Sequence, residues 1–161
     1  MSRLPAVLCI DDNVLGLAVR KAILETRDYR AFTAENGPAG LEIAVQEQID
    51  LVILDYEMPE MDGGQVARQL RSLCPQIPIL LLSGYPGRIP KALLATVDGF
   101  VLKGSSPEIL LKEIERIMNL AAKAAHPRLT LAANPRKRSR NLPGPLGRST
   151  LPARCRRKRK R

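Results

Sequence analysis

Two short stretches of the sequence place carboxylates directly after apolar runs. Asp11 and Asp12 follow AVLCI at 6–10, and Asp55 follows LVIL at 51–54. Moving a carboxylate out of water is costly unless a cation or hydrogen bonds compensate it. Taken alone, the Asp11-Asp12 pair also suits a helix N-terminus, where the helix dipole favours negative charge. A carboxylate such as Asp55 can instead act as a nucleophile and form an acyl phosphate.

Two further apolar runs end in polar residues of complementary chemistry. Ser83 ends IPILLLS at 77–83, and Lys103 ends GFVLK at 99–103. Lys103 can pair with a carboxylate or a phosphoryl group, and the Ser83 hydroxyl can donate a hydrogen bond to a phosphoryl oxygen. Three carboxylates brought together repel one another unless a cation lies among them, and hard oxygen ligands suit Mg²⁺. This set predicts a magnesium site with Asp55 as its nucleophile.

Predicted strands and helices must bring these polar residues together. Short apolar runs alternate along the chain with segments of helical periodicity. Strands are predicted at 6–10, 29–34, 50–55, 77–83 and 99–103, and helices at 15–25, 39–47, 63–73, 90–97 and 105–125. The strands are apolar throughout, which is typical of a parallel sheet covered by helices on both faces. The predicted fold class is therefore α/β, a doubly wound five-stranded parallel sheet with five helices in three layers. In such sheets the carboxyl ends of the strands carry the functional site.

Local signals predict how individual helices begin and which face they bury. Ser105 with Glu108 fits a capping box, and Pro107 lies in the first turn of the last helix. Asp62 is expected to cap the helix at 63–73. The first helix carries an apolar stripe at helical spacing, formed by Leu15, Val19, Ala22 and Ile23.

Composition restricts the class of protein. Aromatic residues make up only 3% of the 161 residues, so an aliphatic core is expected. The three cysteines show neither CxxC nor zinc-site spacing, and we expect Cys9 and Cys74 to be buried thiols. No apolar run is long enough to predict a membrane span, and the first residues do not resemble a signal peptide. A cytoplasmic location is expected.

Charge divides the chain into two parts. Residues 1–125 hold 13 Lys and Arg against 16 acidic residues, whereas residues 126–161 hold 13 Lys and Arg and no acid. Prolines interrupt the second part, which shows no apolar periodicity. We therefore predict one domain at 1–125 and a basic, proline-rich, disordered tail at 126–161. The positive charge of the tail is compatible with electrostatic, nonspecific contact with nucleic acid. Contact with an acidic protein or a membrane surface, and the absence of any specific role, stay alternatives.

The strand ends resemble those of the receiver domain of bacterial two-component response regulators, over about residues 4–122. The matching segments are CIDDN, LVILDYEMPEMDGG, LLLSG and FVLKG. The resemblance implies the flavodoxin-like fold of CheY. It also implies that Asp55 accepts a phosphoryl group from a histidine kinase or phosphotransfer protein. Asp12 and Asp55 would hold Mg²⁺ together with the backbone carbonyl of Glu57, whose side chain is expected to be solvated. Asp11 would belong to the same metal site but act mainly through water.

The resemblance also assigns residues around the phosphoryl group. Ser83 and Lys103 would contact its oxygens, and Ser83 with Phe100 would form the switch that reports phosphorylation. Gly104 stands where the family usually has proline after the lysine. Tyr85, two residues after Ser83, is expected near the pocket mouth, where it would slow attack of water on the phosphate.

These observations favour a single-domain response regulator with no enzymatic activity beyond phosphorylation and dephosphorylation of Asp55. Its output would be the binding of a downstream protein through helix 4, strand 5 and helix 5. An alternative is a nucleic-acid-binding protein that acts through the basic tail. A phosphatase of the haloacid-dehalogenase kind is disfavoured, because that family requires Asp-x-Asp after the first strand.

Overall fold

A parallel five-stranded sheet, in the order β2-β1-β3-β4-β5, lies between two layers of helices in the computed structural model, which describes residues 3–125. The strands are β1 Ala6–Ile10, β2 Arg30–Ala34, β3 Leu51–Asp55, β4 Ile79–Ser83 and β5 Gly99–Leu102. The helices are α1 Val14–Glu25, α2 Gly37–Gln46, α3 Gly63–Leu73, α4 Lys91–Leu94 and α5 Pro107–Ala125. The predicted fold class is confirmed. The predictions for 126–161 concern residues outside the described range.

The three central strands differ from the two edge strands in burial. Every residue of β1, β3 and β4 is buried. In β2 and β5 only Ala34 and Val101 are buried. The expectation that all strands are covered on both faces is therefore wrong for the edges, where each strand has one neighbour and the helices overhang it only partly.

Alternate residues of the strands build two aliphatic cores. Ala6, Leu8 and Ile10 of β1 join the core beneath α2 and α3. Val7 and Cys9 join the core beneath α1 and α5. This period of two follows from the strand geometry, in which successive side chains point to opposite faces. No aromatic side chain among residues 3–125 is fully buried, as the composition predicts.

Helix α1 turns a different face to the sheet from the predicted one. Leu17 and Leu24 are buried, and Arg20 lies between them on the same face with 14% of its side chain exposed. Leu15 is 75% exposed and Val19 is also exposed. The prediction was wrong because it counted only apolar residues, whereas the buried i, i+3, i+7 face includes an arginine that reaches a charged partner.

Two helix boundaries also differ from the sequence expectation. Helix α5 begins at Pro107, so Ser106 precedes it and the predicted cap at Ser105 is one residue early. Helix α4 is a single turn at Lys91–Leu94, preceded by a 3₁₀ turn at Pro86–Arg88, and is shorter than the predicted 90–97. The Thr96 hydroxyl donates to the Leu93 carbonyl at 2.8 Å, a side-chain bond that competes with continuation of the helix.

Candidate functional site

Three carboxylates converge at the carboxyl edge of the sheet. Asp11 follows β1 directly, and Asp55 is the last residue of β3. The two strands are neighbours in a register that pairs Ile10 with Leu54, so their ends lie side by side. One oxygen from each of Asp11, Asp12 and Asp55 lies within 4.8 Å of the others. The sequence prediction that these residues meet is confirmed, and hard oxygen donors so close together fit a divalent cation such as Mg²⁺.

Asp55 lies at the centre of this cluster and is fully buried. Its Oδ2 accepts a hydrogen bond from Lys103 Nζ at 2.6 Å, and its Oδ1 accepts one from the Glu57 backbone N–H at 3.1 Å. Burial raises the pKa of Asp55 from its ordinary value of 3.8 to about 6, and the nearby Asp11 adds to the rise. Hydrogen bonds from Lys103 and the Glu57 N–H favour the ionised form and limit that rise in pKa.

Asp11 is held by two partners of its own. Its Oδ1 accepts a hydrogen bond from the Asn13 backbone N–H at 2.8 Å, and its Oδ2 accepts a very short one from Arg20 Nη2. Lys103 Nζ lies 3.8 Å from the same Oδ2. Asp12 is exposed. Sequence reasoning missed Arg20; its position three residues after Leu17 and four before Leu24 was the available signal.

Ser83 ends β4 and is fully buried. Its hydroxyl donates to Glu57 Oε1 at 2.5 Å and accepts a hydrogen bond from the Tyr85 backbone N–H at 3.0 Å. The second carboxylate oxygen of Glu57 lies 3.4 Å from the Gly84 N–H. The expectation that the Glu57 side chain is solvated was therefore wrong, since it bonds the hydroxyl predicted to contact the phosphoryl group.

The chain after Asp55 folds back on the end of β3. The Gly63 N–H donates to the Tyr56 carbonyl at 3.0 Å, and a Cβ at Gly63 would lie 2.4 Å from the Asp55 carbonyl oxygen. Only glycine permits that approach. Asp62 caps α3 with Gln65 in a reciprocal capping box, as predicted for Asp62. These contacts hold the segment that carries Glu57 against the acidic cluster.

Gly104 makes the turn after β5 with φ of 87°, a region that proline cannot reach. The Lys103 N–H donates to the Ser83 carbonyl at 2.9 Å, which fixes the start of this turn on β4. Lys103 still reaches Asp55 with glycine following it.

The remaining predicted site residues lie at the borders of the cluster. Phe100 is half-buried, pairs with Leu81 in the sheet register and packs against the core under α2 and α3. Tyr85 is 60% exposed, and the Arg88 guanidinium carbon lies 4.8 Å from its ring centre. Cys9 and Cys74 are buried, as predicted, and burial raises the pKa of the Cys9 thiol to about 12. Within residues 3–125, no helix is both long and apolar enough to cross a bilayer.

A doubly wound parallel sheet with an acidic cluster and a lysine at its carboxyl edge defines a class of α/β signalling domains. Residues 7–115 match the family model described as "Response regulator receiver domain". The chain belongs to this family, and residues 7–115 form a receiver domain of two-component phosphorelay signalling.

Two proteins with similar sequences agree with this assignment. The transcriptional regulatory protein GlrR of Escherichia coli (strain K12) is 34% identical over 132 residues, which cover 80% of this chain and 30% of that protein. The chain thus spans about a third of that relative. The two-component response regulator ORR3 of Oryza sativa subsp. indica is 28% identical over 71% of this chain and 91% of that protein.

Solved structures show the same fold. A CheY-like receiver domain from Methanospirillum hungatei JF-1 superposes with a TM-score of 0.72 at 25% identity, over 75% of this chain and 98% of that one. The response regulator TrrA from Thermotoga maritima, crystallised with Mg²⁺-BeF, superposes with a TM-score of 0.66 at 29% identity, over 70% of this chain and 98% of that one.

Proposed function

We propose that this protein accepts a phosphoryl group on Asp55 from a histidine kinase or phosphotransfer protein and signals by binding a downstream protein. The observation that carries the proposal is the buried Asp55 carboxylate, held by Lys103 at 2.6 Å beside two further carboxylates. The same site would slowly lose the phosphoryl group to water, and we propose no other enzymatic activity.

In the transfer step an Asp55 carboxylate oxygen attacks phosphorus. The new oxygen–phosphorus bond forms as the phosphorus–nitrogen bond of phosphohistidine breaks, and the imidazole nitrogen keeps the electron pair. Lys103 already donates a hydrogen bond to one Asp55 oxygen and can donate to the phosphoryl oxygens as negative charge develops there. The Glu57 N–H orients the other oxygen.

Asp12, Asp55 and the backbone carbonyl of Glu57 would hold Mg²⁺, with Asp11 beside them. The donor set fits, because the carboxylates lie close together and Asp12 is open to solvent. The TrrA relative, whose crystals contain Mg²⁺-BeF, supports the same metal. When bound, the metal neutralises charge on the transferring phosphoryl group.

The switch would begin at Ser83. Its hydroxyl donates to Glu57 in the present arrangement, so a contact with a phosphoryl oxygen requires that bond to break. The carbonyl of Ser83 bonds the Lys103 N–H on β5, the strand that also carries Phe100. A shift of Ser83 would therefore bias Phe100 and the α4–β5–α5 surface toward a partner-binding state.

Labelling by acetyl phosphate tests this function. We expect one added phosphoryl group by intact mass when Mg²⁺ is present, and none after chelation with EDTA. Asp55→Asn should abolish the adduct, whereas Asp50→Asn, a carboxylate at the opposite edge of the sheet, should leave it unchanged. An adduct that persists in Asp55→Asn, or is absent from the folded wild-type protein with Mg²⁺, would contradict the proposal.

The segregation of charge favours a second candidate function for residues 126–161. We propose that this segment binds nucleic acid nonspecifically through its 13 lysines and arginines, since no acidic residue offsets them. No aromatic residue follows Phe100, so stacking on bases is not available. Full-length protein should bind duplex DNA with affinity that falls steeply with salt. Replacing the cations of 154–161 with glutamine should flatten that slope, and an unchanged slope would count against the proposal.

A further inference from the structure

Arg20 brings a second cation to the acidic cluster from inside helix α1. Its Nη2 donates to Asp11 Oδ2, and only 14% of the Arg20 side chain and 2% of the Asp11 side chain are exposed. The Arg20 Nε is buried without a hydrogen-bond partner. A buried guanidinium with an unsatisfied N–H is costly to maintain, so packing alone does not account for an arginine at this position.

Gly16 leaves the space through which Arg20 reaches the cluster. Side chains on a helix lean toward its N-terminus, so Arg20 covers the residue four positions before it. A Cβ at Gly16 would lie 3.3 Å from Arg20 Nη2, slightly tighter than ordinary contact, and 3.4 Å from Nη1, at the limit of ordinary contact. Glycine inside a helix is destabilising relative to alanine. Helix α1 therefore carries an unfavourable residue where the guanidinium passes.

The charges of the cluster show what Arg20 changes. Asp11, Asp12 and Asp55 carry a formal charge of −3 when ionised. Among residues 3–125, Lys103 and Arg20 pair with these carboxylates and reduce the total to −1. Without Arg20 the total would be −2. Since a divalent cation is attracted by the net negative charge of its ligands, Arg20 weakens that attraction.

Both oxygens of Asp11 are also engaged in the described structure. One accepts the Asn13 N–H at 2.8 Å, and the other accepts Arg20. A metal that used Asp11 would bind a carboxylate whose charge the adjacent guanidinium already offsets, whereas Asp12 is exposed and open to a ligand.

We propose that Arg20 competes with the divalent cation for the acidic cluster. By pairing with Asp11, Arg20 lowers the Mg²⁺ affinity of the site. This inference rests on the proposed function, because it takes the acidic cluster as the magnesium site. It assigns Arg20 a positioning role: it holds Asp11 and leaves Asp12 and Asp55 as the principal metal ligands.

Titration calorimetry of the full chain with MgCl₂ tests the proposal without phosphorylation. We expect Arg20→Met to bind Mg²⁺ several-fold more tightly than wild type. Lys21→Met removes the same charge from the neighbouring, half-exposed position on α1 and should leave the affinity nearly unchanged. Gly16→Ala keeps every charge but presses on the guanidinium, and should give an intermediate gain.

Unchanged or weaker Mg²⁺ binding by folded Arg20→Met would overturn the proposal. If Arg20→Met does not fold, the Gly16→Ala result decides in the same way. These outcomes differ from failure of the proposed function, which appears as wild-type protein that takes no phosphoryl group from acetyl phosphate at saturating Mg²⁺. If neither wild type nor Arg20→Met binds Mg²⁺, both proposals fail.

Discussion

At the amino edge of the sheet, Asp50 and Asp98 each accept a hydrogen bond from the first residue of a strand. Asp50 Oδ2 accepts the Ala6 N–H and Asp98 Oδ2 accepts the Ile79 N–H, both at 2.8 Å. At the carboxyl edge, the buried Asp55 and Asp11 instead crowd together with the exposed Asp12. Asp50 and Asp98 are spaced apart, and each has an arginine partner at 2.8 and 2.5 Å respectively.

The same residue types therefore perform different work at the two edges. At the amino edge each carboxylate is partly exposed and accepts a hydrogen bond from a backbone N–H, so it stabilises the first residue of a strand. At the carboxyl edge burial and mutual repulsion outweigh the cations, which is why the pKa of Asp55 is raised. The carboxylates at the amino edge stabilise the fold, whereas the buried Asp55 at the carboxyl edge destabilises it. This difference is expected when the carboxyl edge is a functional site.

The largest expected effect concerns the pH dependence that Asp55 imposes. Because its pKa is about 6 in the folded protein and near 3.8 when unfolded, the unfolded chain releases this proton at lower pH. Stability contributed by the protonated form is fully present below pH ~4 and is lost as pH rises through about 6. In EDTA, we expect Asp55→Asn to gain up to ~3 kcal/mol in unfolding free energy over wild type between pH 4 and pH 7.

Urea denaturation of both proteins across this pH range measures that difference. Asp50→Asn serves as the control, because Asp50 belongs to the amino edge. If the unfolding free energies of wild type and Asp55→Asn change in parallel from pH 4 to pH 7, the ionised Asp55 does not destabilise the fold and the prediction is contradicted.

At the amino edge the largest effect is expected from Arg71→Met. The Arg71 guanidinium donates to the Thr96 carbonyl at 2.9 Å, to the Ile77 carbonyl at 2.8 Å and to Asp98 at 2.5 Å. Its removal leaves these acceptors without that donor and should lower the unfolding free energy by ~2–3 kcal/mol. Arg68→Met, at an exposed position of the same helix, should change stability little. A loss of phosphoryl labelling in folded Arg71→Met would show that the edges are not separable.

A smaller effect is expected from Asp50→Ala. The Ala6 N–H at the start of β1 would lose its acceptor, at a cost of about 1–2 kcal/mol. Arg3→Ala removes the partly exposed ion pair at 2.8 Å and a long hydrogen bond to the Gln48 carbonyl at 3.4 Å, and should cost less than ~1 kcal/mol. Chemical denaturation at two salt concentrations separates the two contributions. Equal losses of unfolding free energy in both variants would mean that Asp50 stabilises the protein through its ion pair with Arg3 and not through the hydrogen bond from the Ala6 N–H.

A smaller effect on stability than that of Asp50→Ala is expected from Glu57→Ala at the carboxyl edge. The variant loses the 2.5 Å hydrogen bond from Ser83, at about 0.5–1.5 kcal/mol, and removes one negative charge beside the phosphoryl position. We expect faster labelling by acetyl phosphate, measured as an initial rate by intact mass. Glu57→Gln, which keeps an acceptor but not the charge, separates the two causes. Slower labelling in both variants would mean that Glu57 assists phosphorylation instead of opposing it.

Much of the candidate site was predictable because it depends on strand ends. Once the apolar runs are parallel neighbours, Asp11, Asp55, Ser83 and Lys103 must lie at one edge, however distant they are in the chain. The cap at Asp62 was equally local, since it needs only a side chain near the first free N–H groups of α3.

The residues that sequence reasoning missed belong to helices and loops. Whether Arg20 lies inward depends on the rotation of α1 about its axis, and Leu15 and Val19 suggested the wrong rotation. The contact between Glu57 and Ser83 joins the loop after β3 to the last residue of β4, 26 residues apart in the chain. Neither contact follows from a period of apolar residues.

The sequence by itself determined the order of strands and helices, the identity of the acidic cluster and the separation of acidic and basic charge. These depend on local periodicity and on the rule that parallel strands align their carboxyl ends. Only the tertiary structure decided that Arg20 holds Asp11 and that Glu57 holds Ser83. The physical reason is that a charged side chain takes its position from the best partner within reach, and that partner exists only after the helices and loops have packed around the sheet.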